Sequence, residues 1–365
     1  MPKHNNLKIC VVATSLSDGG TERFSATLSH ILINLGYDVF IVSTKNCIDY
    51  KYAGQLFNLE IESKSKRNFK KLVVMRRFFK KEKFDIIIDN RARRSFFKEF
   101  LIYRLLYNQS RVISMIHNYN IYNYFPDSKN KAEIIYKHNK EFVGVSKSIK
   151  QKVIDEFCFN NVHYIHNPIN LEELKVKSEA YKLDLSYQYI LYFGRFEEAS
   201  KNLTLLIKSY AISQLVEKNI KLILLGKGED LAYLKDLVDT MQLQNMVIFM
   251  GYNPNPFPYV KHAKFTVLSS NYEGFPMSII ESLAVGTPVV SVDCESGPRE
   301  VIHHNKNGLL VKSNDKSALS SAFNLFLNDE KLYLDCKQNA TESVAHLNVN
   351  AITSKWKSLI ENETK

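Results

Sequence analysis

Short apolar runs alternate along the chain with segments in which apolar residues recur every three or four positions. Lys8–Ala13, Asp38–Ser43, Phe84–Ile88, Val112–Ile116 and Glu141–Val145 are β-branched runs bounded by turn residues, and they read as buried strands. Between the first two, Phe24, Leu28, Ile31 and Leu35 mark one face of a helix over Thr21–Leu35, which Gly36 stops. Strand, helix, strand in this order calls for a parallel sheet covered on both faces. After Val162–Ile165 and Asn167-Pro168 a polar stretch rich in Lys and Glu intervenes. The pattern then restarts with Tyr189–Phe193, Ile220–Leu225, Met246–Met250, Lys264–Leu268 and Thr287–Val292. Two such series in succession predict two doubly wound α/β domains, with the boundary inside Asn167–Tyr187. Ligands of these folds bind beyond the carboxyl ends of the strands, so two domains facing each other at those ends are expected to enclose a cleft.

Charge adds a question that the pattern does not raise. The 365 residues include 49 Lys+Arg and 38 Asp+Glu, a net charge of +11. Lys64–Arg104 alone holds 15 of the basic and 4 of the acidic residues, and the remainder balances at 34 of each. A composition of 45% hydrophobic and 24% charged residues excludes a disordered polyelectrolyte. One segment therefore asks for an anionic partner: nucleic acid, anionic lipid or a phosphorylated substrate. Lys64–Lys83 interleaves Phe69, Leu72, Val73, Met75, Phe78 and Phe79 with cations. It reads as a basic amphipathic helix that lies on an anionic membrane, or as a surface helix whose apolar face meets the core; the two are compatible. No run approaches the roughly 18 apolar residues of a spanning helix. The apolar run Ile9–Ala13 fits a buried strand better than a signal peptide. The five cysteines are widely spaced and form no metal-binding pattern, so reduced thiols are expected.

The densest chemistry lies in Ser269–Val292, SSNYEGFPMSIIESLAVGTPVVSV. It reads strand, loop, helix, strand, with Pro276 suited to the first helical position. Gly274, Phe275, Pro276 and Met277 put flexible backbone at a helix N-terminus, where free amides and the helix dipole favour a phosphate. Glu273 and Glu281 stand eight residues apart. They are either a solvated pair of ordinary helix-end and helix carboxylates or two groups holding one ligand. Gly194-Arg195 and Lys201-Asn202 follow a strand; Arg195 and Lys201 are either surface charges or a clamp on a diphosphate. Gly226-Lys227-Gly228-Glu229 reads as a turn after the next strand. Asp18-Gly19-Gly20-Thr21-Glu22-Arg23 opens the first helix as a glycine-rich anion-binding turn, but matches neither GxGxxG nor a P-loop, which disfavours a dehydrogenase or a P-loop ATPase. His117-Asn118 closes a strand, and His117 is either structural or cleft-facing.

Together these pieces resemble the retaining GT-B glycosyltransferases of family 4. The resemblance rests on Glu273-Gly274-Phe275-Pro276 and Glu281-Ser282-Leu283-Ala284, continuing through Gly286-Thr287-Pro288-Val289-Val290. Gly194-Arg195, Lys201-Asn202, Gly226–Glu229, Asn167-Pro168 and Gly19–Arg23 fall in the family's order. It implies two Rossmann-like domains: an acceptor-binding one over 1–170, joined by a C-terminal crossing helix of about 350–365 that carries the only Trp, Trp356, and a nucleotide-sugar-binding one over 171–349. It also implies roles. Glu281 holds the ribose and Glu273 contacts the transferred sugar. Arg195 and Lys201 bind the diphosphate and neutralise it as it leaves. Gly194, Gly226 and the amides of Gly274–Met277 lie against the donor, as does the backbone at Gly19 and Gly20, and His117 sits near the sugar hydroxyls.

In this family the leaving phosphate itself takes the acceptor proton, so no carboxylate nucleophile pair is required. No Asp-x-Asp motif occurs, and the nearest match, Asp293-Cys294-Glu295, reads as a loop; neither a metal nor another cofactor is expected. Glu295–Ile302 and Asn307–Val311 look like a subgroup that transfers N-acetylhexosamine or galactose from UDP in bacterial surface-glycan assembly. The expected donors are UDP-GalNAc, UDP-GlcNAc or UDP-Gal, and the expected acceptor is a lipid-linked glycan. Arg91, Arg93 and Arg94 then stand at the acceptor end of the first domain as candidate contacts to its phosphates. The expected location is the cytoplasmic face of the inner membrane, with peripheral attachment to its anionic surface. Two other classes compete with this reading: a GT-B sugar-nucleotide epimerase, and a nucleic-acid binder, which is disfavoured because it leaves two α/β domains unexplained.

Overall fold

A computed structural model describes residues 7–64, 68–137 and 141–362. The chain divides into two compact units, Met1–Pro168 with Val349–Lys365, and Ile169–Asn348. The chain enters the second unit at Ile169 and leaves it at Asn348. These two residues form a parallel bridge, and the Ile169 amide donates to the Leu347 carbonyl at 2.9 Å.

The first unit holds seven strands: β1 (Lys8–Ala13), β2 (Asp38–Ser43), β3 (Gln55–Asn58), β4 (Ile86–Asp89), β5 (Arg111–Ile116), β6 (Glu141–Gly144) and β7 (Val162–Tyr164). Every pairing is parallel, in the order β3-β2-β1-β4-β5-β6-β7. The direction of winding reverses between β1 and β4. Ile9–Ala13 of β1 are all buried, as a strand covered on both faces requires. The helix after β1 spans Gly20–Asn34 and buries Phe24, Leu28, Ile31 and Leu32; Gly36, at φ +88°, takes the left-handed conformation that ends it. The terminal helix Val349–Asn362 belongs to this unit. Ile352, Trp356 and Ile360, four residues apart, are fully buried, and the indole lies 6.3 Å from the Phe24 ring. Arg111 donates to the Leu359 and Ile360 carbonyls at 3.0 Å each, satisfying acceptors that a helix end leaves open.

The second unit holds β8 (Tyr189–Arg195), β9 (Lys221–Lys227), β10 (Val247–Met250), β11 (Thr266–Leu268), β12 (Val289–Asp293) and β13 (Gly308–Lys312). Again all pairs are parallel, in the order β10-β9-β8-β11-β12-β13, with the reversal between β8 and β11.

Two expectations change. Phe84 and Asp85 do not join β4, because Lys83 sits at φ +52° and the Asp85 carboxylate accepts the Lys8 amide at 2.7 Å. The basic stretch Lys64–Lys83 is not one helix. A short helix Leu59–Ser63 ends at Lys64 (φ +46°), and a second runs Asn68–Glu82. Ser65, Lys66 and Arg67 lie outside the described residues. Much of the apolar stripe faces the core: Met75 and Phe79 are buried, and Phe78 stacks on Phe57 at 3.8 Å. Phe69 alone of the large apolar side chains on that helix is 75% exposed. Among the described residues no helix is long and apolar enough to cross a membrane.

Candidate active site

The site of the second unit is built where β8 and β11 meet. That is the point at which chain connections leave in opposite directions and open a crevice beyond the strand ends. The loops after both strands are laced together. Ser269 Oγ donates to the Lys201 carbonyl (2.9 Å), the Asn271 amide to the Ser200 carbonyl (2.9 Å), and Asn271 Nδ2 to the Ala199 carbonyl (3.0 Å). Asn202, in the left-handed region at φ +48°, caps the helix Leu203–Ala211 through the Leu205 amide and donates to Asn271 Oδ1 at 3.0 Å.

This lacing sets Lys201 Nζ 2.6 Å from Glu273 Oε1, with Ser270 Oγ donating to the same oxygen at 2.7 Å. The pair is 22% and 11% exposed. One of three ammonium donors is used, so Lys201 keeps two for an incoming anion. Arg195, the last residue of β8 and the start of the loop that carries Lys201, is exposed. Gly226 lies opposite Gly194 in the strand register, and a side chain there would place its Cβ 1.9 Å from the Gly194 carbonyl oxygen. Glycine is thus required for β8 and β9 to close. Gly228 packs in the same way against the Phe196 backbone, at 2.0 Å.

Beyond Glu273 the chain turns through buried Gly274, Phe275 and Pro276 into the helix Met277–Ala284. Pro276 stands at the cap rather than at the first helical position, because its carbonyl receives the Ile279 and Ile280 amides (3.1 and 3.3 Å). Met277 and Ser278 occupy the first helical positions, whose amides find no acceptor within the helix. Glu281 follows one turn later, a carboxylate only 7% exposed. The loop after β12 supports this turn from behind. Glu295 accepts the Glu273 amide (3.3 Å), Ser296 Oγ donates to the Gly274 carbonyl (2.9 Å), and a Cβ at Gly297 would fall 2.4 Å from Pro276 Cδ. Asp293 ends β12 instead of lying in a loop, and Arg299 donates to its Oδ1 at 2.9 Å. Burial, reinforced by Glu273, pushes the Cys294 thiol up to about 12, so it stays protonated.

Six of the sequence-derived residues, Gly194, Arg195, Lys201, Gly226, Glu273 and Glu281, are thereby set around or next to one switch point together with Gly274–Met277. Ser269, Ser270, Asn271 and Ser296 were missed. For the first three the signal was present: three consecutive polar residues directly after a buried strand, two positions before Glu273.

Gly19, Gly20, His117 and the arginines belong to the first unit. Gly19 caps the helix that Gly20 opens, and around Gly20 there is open space. His117 Nε2 lies 3.1 Å from Asn90 Oδ1, and Asn90 Nδ2 donates to Ser25 Oγ. That bond orients the amide oxygen toward the ring, so Nε2 carries the proton. Burial, with the Arg93 guanidinium, takes His117 down to about 3, so its imidazole is neutral at pH 7.

The arginine cluster is not a phosphate site as expected. Arg91 is 4% exposed, with both Asp89 oxygens (2.9 and 2.8 Å) and Glu99 (2.9 Å) on its guanidinium. Arg93 is 2% exposed and donates to the carbonyls of Asp89, Arg91 and Met115 and to Tyr136 Oη. Burial raises the Asp89 pKa, but the two guanidiniums overcome it and hold the carboxyl below its usual range. These arginines tie the ends of β4 and β5 together; only Arg94 is exposed.

Two family models match the chain, one on each unit. The one described as Glycosyltransferase Family 4 matches residues 18–173, and the one described as Glycosyl transferases group 1 matches residues 175–343. A curated relative from Campylobacter jejuni is 28% identical over 350 residues, covering 91% of this chain and 93% of that protein. Its name is N-acetylgalactosamine-N,N'-diacetylbacillosaminyl-diphospho-undecaprenol 4-alpha-N-acetylgalactosaminyltransferase. A glycosyltransferase from Rickettsia africae superposes with a TM-score of 0.77 at 20% identity, over 99% of this chain and 100% of that one. Anabaena HepE, solved in complex with UDP, superposes with a TM-score of 0.74 at 16% identity, over 98% and 100% of the two chains. With its two halves matched in order and its two parallel sheets shared with these structures, the chain belongs to the GT-B glycosyltransferases of family 4.

Proposed function

We propose that this enzyme moves a hexose or N-acetylhexosamine from a UDP-sugar to a lipid-linked glycan in bacterial surface-polysaccharide synthesis, with retention and without a metal. The observation that carries the reading is the Lys201–Glu273 pair at the β8–β11 switch point, with Arg195 exposed at the end of β8 and a helix N-terminus following. A cation with spare donors, a guanidinium and free amides form a receptor for a diphosphate. Glu281, buried one turn into the helix, suits the ribose hydroxyls, and Glu273 suits the sugar. UDP as the nucleotide draws support from the UDP bound in the Anabaena structure. The lipid-linked acceptor draws support from the undecaprenol-linked substrate in the Campylobacter relative's name.

That name specifies an α linkage, which is the outcome of retention from an α-linked nucleotide-sugar. In a front-face reaction the bond from the anomeric carbon to the phosphate oxygen breaks as positive charge builds on the sugar. The acceptor oxygen bonds the same face, and its proton passes to the departing phosphate. Arg195 and Lys201 supply the rate term, because they stabilise the charge that grows on the diphosphate. The exposed cations Arg76, Arg77, Lys80 and Lys81 support attachment to an anionic membrane at its cytoplasmic face. The test is a thermal-shift screen against UDP, GDP, ADP and their sugars, followed by turnover with and without EDTA. A stabilising shift with UDP-sugars is expected. No shift with any nucleotide removes the reading, and activity abolished by EDTA removes its metal-free part.

A further inference from the structure

A cavity of about 730 Å³ opens at the amino end of the first unit's sheet, the end opposite His117 and Gly19. Its walls come from the end of the helix Asn68–Glu82 and the loops that lead into β4 and β5. Phe79 and Phe84 are buried at its apolar floor. Arg76, Lys80, Lys83 and Arg104 stand around it. Arg76 and Lys80 are four residues apart and so share a helix face. Arg76, Lys80 and Lys83 are exposed, and among the described residues none of the three has a carboxylate partner. Arg104 donates to the Ile134 carbonyl and lies over the Phe100 ring, which leaves part of its guanidinium for a ligand. The acidic wall residue, Asp85, accepts the Lys8 amide, and Arg111 is committed to Glu141. The cavity is therefore cationic at the rim and apolar at the base.

We infer that this cavity binds the phosphate headgroup of an anionic phospholipid, with the apolar floor receiving the adjoining part of the lipid. A free phosphate has no use for Phe79 and Phe84, whereas a lipid at a membrane surface meets both features at once. The inference deepens the membrane reading above and rests on it: it assigns the contact to one cavity in place of the whole basic segment.

The test is flotation of the full chain with phosphatidylcholine vesicles containing phosphatidylglycerol, against phosphatidylcholine alone. Wild type is compared with Arg76→Gln/Lys80→Gln/Lys83→Gln and with a charge-matched control, Lys45→Gln/Lys51→Gln/Lys312→Gln. At about fivefold per cation near the surface, the cavity variant is expected to lose on the order of a hundredfold in vesicle affinity. The control should lose far less. All six positions are exposed, so both variants should keep the wild-type thermal midpoint. Wild type that ignores anionic vesicles defeats the membrane reading itself. Wild type that binds while both variants lose equally, or while the cavity variant loses nothing, defeats only the cavity. Loss of inorganic-phosphate binding or of single-stranded DNA binding in the cavity variant, with vesicle binding intact, also overturns the lipid assignment.

Discussion

Lys201→Met removes the cation of the β8–β11 junction and separates two roles that the geometry gives it. The first is structural. Glu273, 11% exposed, would keep Ser270 as a partner and lose an ammonium at 2.6 Å. Exposed pairs contribute up to about 1 kcal/mol, and stranding one partner of a buried pair costs about 3–5 kcal/mol. At 22% and 11% exposure the pair lies between these limits, at about 2 kcal/mol. For a unit of this size that lowers the thermal midpoint by about 4–8 °C. The second role is chemical. Loss of one group aimed at developing charge costs about 10²–10³ in kcat. The double variant Lys201→Met/Glu273→Gln distinguishes the two by calorimetry and by turnover of UDP-sugar. With both charges gone no carboxylate is stranded, so stability should recover most of its loss; kcat stays low, because the variant lacks both the leaving-group cation and the carboxylate at the sugar, and only a recovery of activity is informative about Lys201. Recovery of activity together with stability would refute the leaving-group role and leave Lys201 a purely structural residue.

His117 predicts an acid limb to stability. Its pKa is about 3 in the folded chain against about 6.5 unfolded, so between these values the unfolded state binds the extra proton. Its contribution is complete above pH 6.5 and is lost, at up to about 1.4 kcal/mol per pH unit, as pH falls toward 3. Unfolding curves of His117→Gln should be flatter over that window, and an unchanged slope would contradict the burial. Gly226→Ala should lower stability by about 1–3 kcal/mol and weaken nucleotide binding, because its Cβ meets the Gly194 carbonyl. Gly20→Ala, with open space around it, should fold as wild type or slightly better, which chemical denaturation checks. Arg93→Ala should cost about 3–5 kcal/mol, since it strands buried partners. Arg94→Ala should leave the denaturation midpoint unchanged and raise only the acceptor KM in steady-state turnover.

Most of the strands were legible because strands buried on both faces are nearly continuous apolar runs. The two that were not, β3 and β13, fail that test. Gln55 is exposed and only Asn58 of β3 is buried, while β13 begins at Gly308 and ends exposed at Lys312. The donor-side residues were legible individually as strand-end glycines, cations and carboxylates. Their pairing was not, because Lys201 and Glu273 are 72 residues apart and spacing says nothing across that distance. Arg91 and Arg93 were misread because a run of cations after a strand looks solvated. The counter-signal was Asp89, two residues earlier, and Glu99, eight residues later, which together supply three acceptor oxygens inside the fold. Of the two compatible readings of Lys64–Lys83, the structure bears out the one in which the apolar face meets the core: Phe78 and Phe79 join an aromatic cluster with Phe57 and Phe84, partners that lie too far along the chain for periodicity to name.

The central claim is that the β8–β11 switch point receives a nucleoside diphosphate through Arg195, Lys201 and Glu281. Isothermal titration of UDP into wild type and into Glu281→Gln tests it most directly. Saturable binding to wild type, weakened at least tenfold in Glu281→Gln while both proteins keep the same fold by circular dichroism, is the predicted result. No binding of UDP, GDP or ADP to wild type, or equal binding of UDP to both proteins, would contradict it.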